Sequence, residues 1–189
     1  MDTSYYTQNN DSIPVPIGSL ANISLIVVDV DGTLTDSGIY YDEHGNELKK
    51  FSTRDAAGFF EAKVCGIETM ILTGRECMAT TRRMKELQVD YIEQQITNKA
   101  QFLKTYMGEH GLNSNNIAYI GDDINDYECM VISGFVGCPN DAVITIKEIA
   151  DYISPNKGGQ GAVRDIIEHI LSKRGQQKAA VKSCYKIKN

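Results

Sequence analysis

Two carboxylates two residues apart are the first groups in this sequence that could do chemistry. Asp29 and Asp31 belong to the segment DVDGT, which follows an apolar run from Leu25 to Val28. Such a pair beyond a buried strand is costly without a cation, and Mg²⁺ is often held by one or two carboxylates together with a substrate phosphate. A carboxylate so placed can attack phosphorus and form an aspartyl-phosphate. We therefore predict that Asp29 is a nucleophile, and that Asp31 protonates the leaving alcohol and deprotonates the hydrolytic water.

A hydroxyl and a lysine further along the chain are suited to binding a phosphoryl group. Thr73, Gly74 and Arg75 follow a second apolar run, and a hydroxyl with exposed backbone N–H groups suits phosphoryl oxygens. Lys99 stands at a predicted helix start, where its ammonium can neutralise charge on the transferring group. Each signal is weak alone, because TGR also fits a plain turn and a lysine at a helix start is usually solvated.

A third polar cluster is rich in acids. Asp122, Asp123 and Asp126 follow an apolar run from Ile117 to Ile120, in the segment GDDIND. Three carboxylates within five residues repel one another without a cation, and a helix N-terminus offsets that cost only in part. We therefore predict that the earliest of them, Asp122, binds a metal ion.

The elements that position these clusters alternate between strands and helices. Short apolar runs predict core strands, helical segments lie between them, and a β-hairpin is predicted from Ile39 to Phe51. This alternation predicts an α/β fold with a Rossmann-like, doubly wound parallel sheet. Because ligands bind beyond the carboxyl ends of the strands in such sheets, we expect all three clusters to converge on one edge.

The order of these motifs resembles the haloacid dehalogenase superfamily of phosphatases. DVDGT, TGR, a lysine and GDDIND correspond to its four signature motifs, in order and after the expected elements. The resemblance implies that Asp29 is the nucleophile and Asp31 the acid/base, and that Thr73 and Lys99 hold the phosphoryl group. It also implies a Mg²⁺ site formed by Asp29, the backbone carbonyl of Asp31 and Asp122, with Asp123 and Asp126 in support.

Many members of this superfamily carry a cap domain over the site, and this chain has no room for one. Gly32 to Thr73 holds only the hairpin and one helix, and Thr73 to Lys99 holds one helix and a short strand. An uncapped site is open to water and discriminates poorly between substrates. In the capless branch that this chain resembles, neighbouring subunits of a homotetramer complete the sites, and the hairpin is similar to the element used for assembly.

Within that branch, the chain resembles phosphatases that act on 3-deoxy-D-manno-octulosonate 8-phosphate, an eight-carbon keto-acid phosphate that feeds lipopolysaccharide synthesis. The resemblance covers about Ser24 to Leu171, through FSTRD, TGR and GGQGAVRD. Relatives that act on nine-carbon acids tend to carry an acidic residue at the position of Arg75, whereas an arginine can pair with a substrate carboxylate or, alternatively, cap the next helix. The resemblance implies these substrate-binding residues: Arg54, Asp55, Gly74, Arg75, Arg83, Gly158, Gly159 and Arg164.

Substrate choice is the part of this prediction with open alternatives. Ala56 stands where a glycine is common, and Asn98 precedes Lys99 where an aspartate is usual. One alternative is a phosphatase for a nine-carbon ulosonate 9-phosphate of the sialic acid type. Another is a non-catalytic assembly module related to cytidylyltransferase tails, although the catalytic acids and Lys99 are all intact in this chain.

Composition and charge restrict the remaining functions. The 189 residues carry a net charge of −6, so no general nucleic-acid footprint is visible. The five cysteines form no CxxC pair and the three histidines no metal-ligand spacing, so we predict reduced thiols, a cytoplasmic location and no zinc site. No apolar run approaches the length of a membrane span, so we expect no membrane partner.

The chain divides into three predicted parts. Residues 1–18 read as a flexible or loosely docked extension, residues 19–172 as the phosphatase domain and residues 173–189 as a basic tail. The tail holds six basic residues and no acidic one. Such a tail can bind nucleic acid or anionic lipid, but we expect a solvated, mobile end.

Overall fold

The computed structural model describes residues 13–14, 16–18 and 20–185, so most of the predicted N-terminal extension and residues 186–189 of the predicted tail lie outside it. Its strands are β1 (Leu25–Val28), β2 (Tyr40–Tyr41), β3 (Glu47–Leu48), β4 (Glu68–Leu72), β5 (Tyr91–Glu93), β6 (Ile117–Ile120), β7 (Phe135–Cys138) and β8 (Tyr152–Ile153). Its α-helices are α1 (Ala56–Val64), α2 (Met78–Glu86), α3 (Lys99–Glu109), α4 (Tyr127–Val131), α5 (Ile144–Ile149), α6 (Ala162–Lys173) and α7 (Gln177–Tyr185). Two short 3-10 turns, Ser114–Asn116 and Ile124–Asp126, precede β6 and α4.

Six strands form one parallel sheet in the order β5-β4-β1-β6-β7-β8. β1 pairs with β4 on one side and with β6 on the other, and Val28 aligns with both Ile71 and Ile120. Every residue of β1 and β6 is buried, as expected for parallel strands covered on both faces. The chain runs outward from β1 through β4 to β5 and then crosses to β6. This reversal creates a crevice at the carboxyl ends of β1 and β6, where such folds bind ligands.

Each face of the sheet packs against its own layer of helices. Ile26 and Val28 of β1 belong to the apolar cluster that includes residues of α1, α2, α6 and α7. Leu25 and Val27, which point to the opposite face, belong to the cluster that includes residues of α3, α4 and α5. The predicted doubly wound parallel sheet is therefore confirmed, and the described residues contain no cap domain.

The hairpin insertion is short and antiparallel. Tyr40 pairs with Leu48 and Tyr41 with Glu47. Its turn is held by Asp42, whose carboxylate accepts hydrogen bonds from the backbone N–H groups of His44 at 2.9 Å and Asn46 at 2.8 Å. A side-chain acceptor that closes a turn in this way explains why the predicted hairpin forms between such short strands.

The C-terminal segment differs from the solvated tail that we predict. Gln177–Tyr185 forms helix α7, which packs against α1 and buries Ala180, Ser183 and Cys184. Arg174 is buried as well, and its guanidinium donates to the carbonyl of Ile23 at 2.6 Å. The prediction was wrong for these residues because a count of basic residues does not reveal apolar packing or backbone acceptors.

The described part of the N-terminal extension is docked onto the same region. The backbone N–H of Ile17 donates to the Arg174 carbonyl at 3.1 Å, and the Gln176 amide donates to the Pro14 carbonyl at 2.6 Å.

Within the residues that the structure describes, no helix has the length and apolar character needed to cross a membrane.

Candidate active site

A buried lysine joins two of the predicted carboxylates at the carboxyl ends of β1 and β6. Lys99 Nζ lies 2.6 Å from Asp29 Oδ1 and 2.8 Å from Asp126 Oδ1, and the three side chains are at most 4% exposed. Lys99 is the first residue of α3, and Asn98 caps this helix by accepting a hydrogen bond from the Gln101 N–H at 2.9 Å. The helix start therefore carries the ammonium to Asp29.

Asp126 is fixed by donors from β6 and the following loop. The Tyr119 hydroxyl donates to Asp126 Oδ1 at 2.8 Å, and the Asp122 N–H lies 3.3 Å from Asp126 Oδ2. Burial raises the pKa of Tyr119 well above its usual value, so this hydroxyl stays a donor. Both Asp126 oxygens are thus engaged by the protein. Sequence reasoning missed Tyr119, whose only signal is a polar hydroxyl within the apolar strand IAYI.

Asp122 faces the loop that follows β1. The Thr33 hydroxyl donates to Asp122 Oδ1 at 2.9 Å. Gly32 has a φ of +93°, and a Cβ at this position would overlap the Asp122 carboxylate. A glycine is therefore needed both for the left-handed backbone and for the close approach of the two loops.

The cluster holds more negative charge than Lys99 balances. Burial, with a contribution from Asp126, raises the pKa of Asp29 to about 8 although Lys99 opposes the shift. Burial also raises the pKa of Asp122 to about 7. One carboxylate oxygen from each of Asp29, Asp122 and Asp126 lies within 4.8 Å of the others. Carboxylates that are buried, converging and uncompensated fit a hard divalent cation, which favours their ionised forms.

Thr73 follows β4 at the same edge of the sheet. Because Ile71 aligns with Val28, Thr73 lies beside the start of the β1 loop. Its side chain is buried, and its hydroxyl oxygen accepts a hydrogen bond from the Arg75 N–H at 3.4 Å, which folds TGR into a tight turn. Gly74 is exposed within this turn. The three predicted clusters therefore do converge on one edge.

Two hairpin residues that sequence reasoning missed also reach this edge. Lys49 Nζ contacts the Asp31 carboxylate and lies 2.9 Å from Glu47 Oε1. Glu47 Oε2 in turn lies 2.7 Å from Arg75 Nη2. Alternation along a strand places residues 47 and 49 on one face, but which face meets the site depends on how the hairpin folds over it.

Several of the predicted substrate residues gather at the start of α6. Asp55 is buried, and its Oδ1 accepts a hydrogen bond from the Arg164 N–H at 3.1 Å. Burial raises the pKa of Asp55 to about 6. Arg54 and Arg164 line an open cleft of about 200 Å³ together with Gln160. In a single subunit this cleft is separate from the cluster around Asp29.

The two predicted glycines, Gly158 and Gly159, lie before α6 and contact the loop that follows β1. Gly159 N–H donates to the Thr33 carbonyl at 3.1 Å, and Gly158 N–H donates to Asp141 Oδ1 at 2.9 Å. A Cβ at Gly158 would collide with the Gly32 carbonyl. The segment therefore packs directly against the loop that carries the motif DVDGT.

Two other predicted residues have local partners within the subunit. Arg83 Nη1 lies 3.2 Å from Glu86 Oε2 on the same helix, α2. Asp123 is exposed, and its Oδ1 accepts a hydrogen bond from the Ile124 N–H at 2.7 Å, which caps the turn before α4. In the acidic cluster, Asp126 is the residue that faces Lys99.

Comparison with known protein sequences gives consistent matches. A sequence profile of haloacid dehalogenase-like hydrolases matches residues 90–167. The 3-deoxy-D-manno-octulosonate 8-phosphate phosphatase KdsC of Escherichia coli (strain K12) is 34% identical over 160 residues, which cover 85% of each chain. KdsC of Haemophilus influenzae is 31% identical over 83% of this chain and 87% of that protein.

Solved structures agree in fold as well as in sequence. One is the 3-deoxy-D-manno-octulosonate 8-phosphate phosphatase of Moraxella catarrhalis in complex with magnesium ion, phosphate ion and a KDO molecule. It matches with a TM-score of 0.82 and 34% identity, over 86% of this chain and 94% of that one. The cobalt-bound phosphatase of Haemophilus influenzae matches with a TM-score of 0.80 and 30% identity, over 85% and 94% of the two chains.

Proposed function

The chain belongs to the haloacid dehalogenase-like hydrolases, in the family of the 3-deoxy-D-manno-octulosonate 8-phosphate phosphatases, and on that premise we propose that it hydrolyses this phosphate monoester. The reaction releases the free keto-sugar acid and inorganic phosphate, with Mg²⁺ as cofactor. The observation that carries the proposal is the Asp29 carboxylate, buried at the end of β1 and bonded to Lys99 at 2.6 Å. A nucleophile held beside a buried cation suits attack on an anionic phosphoryl group.

The proposed reaction has two steps that share Asp29. In the first, an Asp29 oxygen attacks phosphorus, the bond from phosphorus to the ester oxygen breaks, and Asp31 gives its proton to the leaving alcohol. In the second, Asp31 takes a proton from water, and the water oxygen attacks phosphorus. The bond to Asp29 breaks, and phosphate leaves with Asp29 restored as a carboxylate.

The residues around Asp29 have supporting roles in this proposal. Lys99 neutralises charge on the phosphoryl oxygens, and Asp126 with Tyr119 keeps its ammonium in position. Thr73 and the N–H groups of the turn after it bind the remaining phosphoryl oxygens.

The Mg²⁺ ion is expected at the uncompensated carboxylates. Asp29, Asp122 and the backbone carbonyl of Asp31 would hold it, with Asp126 in support. A bound Mg²⁺ supplies positive charge that orients the phosphate and stabilises the transition state. The raised pKa values of Asp29 and Asp122 support this assignment, because burial disfavours their charged forms and the single cation Lys99 does not balance the cluster.

Phosphate release from a panel of esters tests the proposal. The panel contains the eight-carbon and nine-carbon keto-acid phosphates, with Mg²⁺ or with excess EDTA, and Asp29→Asn as the inactive control. We expect the eight-carbon acid to give the highest kcat/KM, and both EDTA and Asp29→Asn to abolish release. A preference for the nine-carbon acid would support the alternative substrate. No release from any ester would favour the assembly module, although the arranged catalytic groups argue against it.

We propose further that four subunits assemble through the hairpin, so that neighbours cover each site. The hairpin exposes four large apolar side chains, which is unusual for a surface in contact with water. They are Ile39, Tyr40, Tyr41 and Leu48. Light scattering should give the mass of a tetramer for the wild type and a smaller mass for Tyr41→Lys, whereas Val131→Lys, at another exposed apolar residue, should leave the mass unchanged. A fully active monomer would contradict the proposal.

We also propose that the protein works in the cytoplasm. All five cysteines are unpaired, as is usual in a reducing compartment. Fractionation of the producing cells, with activity as the readout, tests the location.

A further inference from the structure

The hairpin adds a line of alternating charges between Asp31, the predicted acid/base, and Arg75 of the TGR turn. Lys49 lies between the Asp31 and Glu47 carboxylates, and Glu47 lies between Lys49 and the Arg75 guanidinium. The Glu47–Lys49 and Glu47–Arg75 distances are 2.9 and 2.7 Å. Glu47 is thus a carboxylate with a different cation on each of its two oxygens.

This arrangement is more ordered than an ordinary surface ion pair. The Lys49 side chain is 2% exposed and that of Glu47 14%, whereas Arg75 is 42% exposed. The Cys77 thiol also contacts the Glu47 carbonyl at 3.6 Å, which ties β3 to the segment after TGR. Glu47 therefore occupies Nη2 of Arg75, while the Arg75 side chain is exposed enough for a ligand to reach the guanidinium.

Arg75 is also one of the substrate-binding residues that the family resemblance implies, and its guanidinium can pair with a carboxylate of the substrate. A substrate carboxylate that binds Arg75 through two parallel hydrogen bonds that include Nη2 must compete with Glu47, because Glu47 already occupies that nitrogen. Glu47 would not become an isolated charge when displaced, since Lys49 remains beside its other oxygen. A phosphate ester without a carboxylate has no second anionic group that can replace Glu47 on Arg75.

We propose that Glu47 is a specificity-determining residue, an internal competitor that occupies Arg75 until the carboxylate of an acidic substrate displaces it. The inference rests on the proposed function and extends it to a residue that contacts no phosphate. Competition lowers the fraction of protein with a free Arg75 and so weakens the apparent affinity for acidic substrates. Only ligands whose carboxylate binds Arg75 tightly enough displace Glu47. Acidic ligands that bind Arg75 weakly are therefore rejected.

The test compares a substrate that has a carboxylate with one that has none in Glu47→Gln, which keeps the shape of the side chain and removes its charge. For 3-deoxy-D-manno-octulosonate 8-phosphate we expect KM to fall roughly two- to fivefold, the range for a partly exposed charge pair. For p-nitrophenyl phosphate, which has no carboxylate, we expect no change in KM. Glu43→Gln, which removes the same charge from the exposed turn of the same hairpin, should change neither KM.

A double-mutant cycle with Arg75 separates competition from a general structural role. If Glu47 acts by occupying Arg75, Glu47→Gln should no longer lower the KM for the acid in an Arg75→Gln background. Glu47→Asp, which keeps the charge but shortens its reach, should give an intermediate fall. Melting temperatures of all variants are measured alongside.

Three outcomes would overturn the inference. The KM for the acid stays the same or rises in Glu47→Gln, the two substrates shift together, or the effect persists without Arg75. Failure of the proposed function looks different, because the wild type would then hydrolyse p-nitrophenyl phosphate but not the keto-acid phosphate. In that case the same comparison with 6-phosphogluconate and glucose 6-phosphate tests Glu47 without the proposed substrate.

Discussion

Two regions of this molecule bury carboxylates, and they differ in whether a cation lies beside them. At the carboxyl ends of β1 and β6, Lys99 lies within 2.8 Å of both Asp29 and Asp126. Under helix α7, Glu61 of α1 is also buried, but neither of its carboxylate oxygens has a hydrogen-bond partner among the described residues. Arg164, whose positive charge acts on Glu61, is already paired with Glu168 at 2.6 Å.

The difference shows how a charged binding site differs from a buried charge that only lowers stability. Around Asp29 the charges are arranged so that one added cation completes the balance, because three carboxylates converge on a point. Glu61 has no such arrangement. Burial and the nearby Glu168 raise its pKa to about 7, so it can lose its charge instead of finding a partner. The charges of the first region can bind an added cation, whereas the buried carboxylate of the second region lowers the stability of the folded protein.

Removing the lysine should break the balanced region and gives the largest expected effect. Lys99→Met leaves Asp29 and Asp126 without their shared cation, so we expect kcat to fall roughly a hundredfold or more. The free energy of unfolding should fall by about 3–5 kcal/mol, because a buried charge cluster loses one partner. Steady-state kinetics with Mg²⁺ and urea unfolding measure the two effects.

The matched control for this change is Lys104→Met, at an exposed position on the same helix. It should change both quantities little. If Lys99→Met keeps nearly full activity, the buried ion pair is structural and its proposed role in holding the phosphoryl group is wrong.

Removing the charge from Glu61 tests the second of the two regions. Glu61→Gln should raise the free energy of unfolding by about 3 kcal/mol at pH 8 and by little at pH 4.5, since it removes a carboxylate with a raised pKa. Urea unfolding across this pH range, with Mg²⁺ present to compensate Asp29 and Asp122, measures the difference. Turnover should be unaffected, because Glu61 lies outside the site.

The sign follows from the direction of the pKa shift. The pKa of Glu61 is about 7 in the folded protein and 4.5 in the unfolded chain, so the folded state binds the proton more tightly. The free-energy cost of the charge on buried Glu61 is therefore close to zero at acidic pH. This cost grows as the pH rises from 4.5 to 7 and stays constant above that. An equal gain at both pH values, or a loss at pH 8, would show that Glu61 has a partner.

The smallest expected effect concerns the support of the lysine. Tyr119→Phe removes the hydroxyl that donates to Asp126 Oδ1 at 2.8 Å and should lower the free energy of unfolding by about 1.5–3 kcal/mol. We expect kcat to fall only a few fold, since Asp126 still contacts Lys99. Tyr152→Phe, which removes a hydroxyl bonded to Asp165 at 3.0 Å, should lower stability without changing kcat. Identical kcat values in the two variants would argue against a positioning role for Tyr119.

The strands and the main site residues could be predicted from the sequence for a physical reason. β1, β4 and β6 are uninterrupted apolar runs, and each is followed directly by polar residues. Parallel strands place those residues at one edge, so Asp29, Thr73 and Asp122 could be predicted to converge without knowing any distance.

Residues whose positions depend on how a loop or helix packs could not be predicted. Glu47 and Lys49 reach the site only because the hairpin folds over the TGR turn, and nothing in its local sequence sets that direction. Helix α7 depends on Ala180 and Cys184 packing against α1, which the basic composition of the tail concealed. The lack of a partner for Glu61 is likewise a property of the assembled helices.

Direct observation of a phosphorylated Asp29 is the measurement that tests the central claim most closely. The enzyme with Mg²⁺ is mixed with excess substrate, quenched in acid during turnover, digested and examined by mass spectrometry. We predict that the peptide containing Asp29 gains the mass of one phosphoryl group, that alkali or hydroxylamine removes it, and that Asp29→Asn never acquires it. Turnover at the normal rate by Asp29→Asn, or a phosphoryl group found only on another residue, would contradict the account.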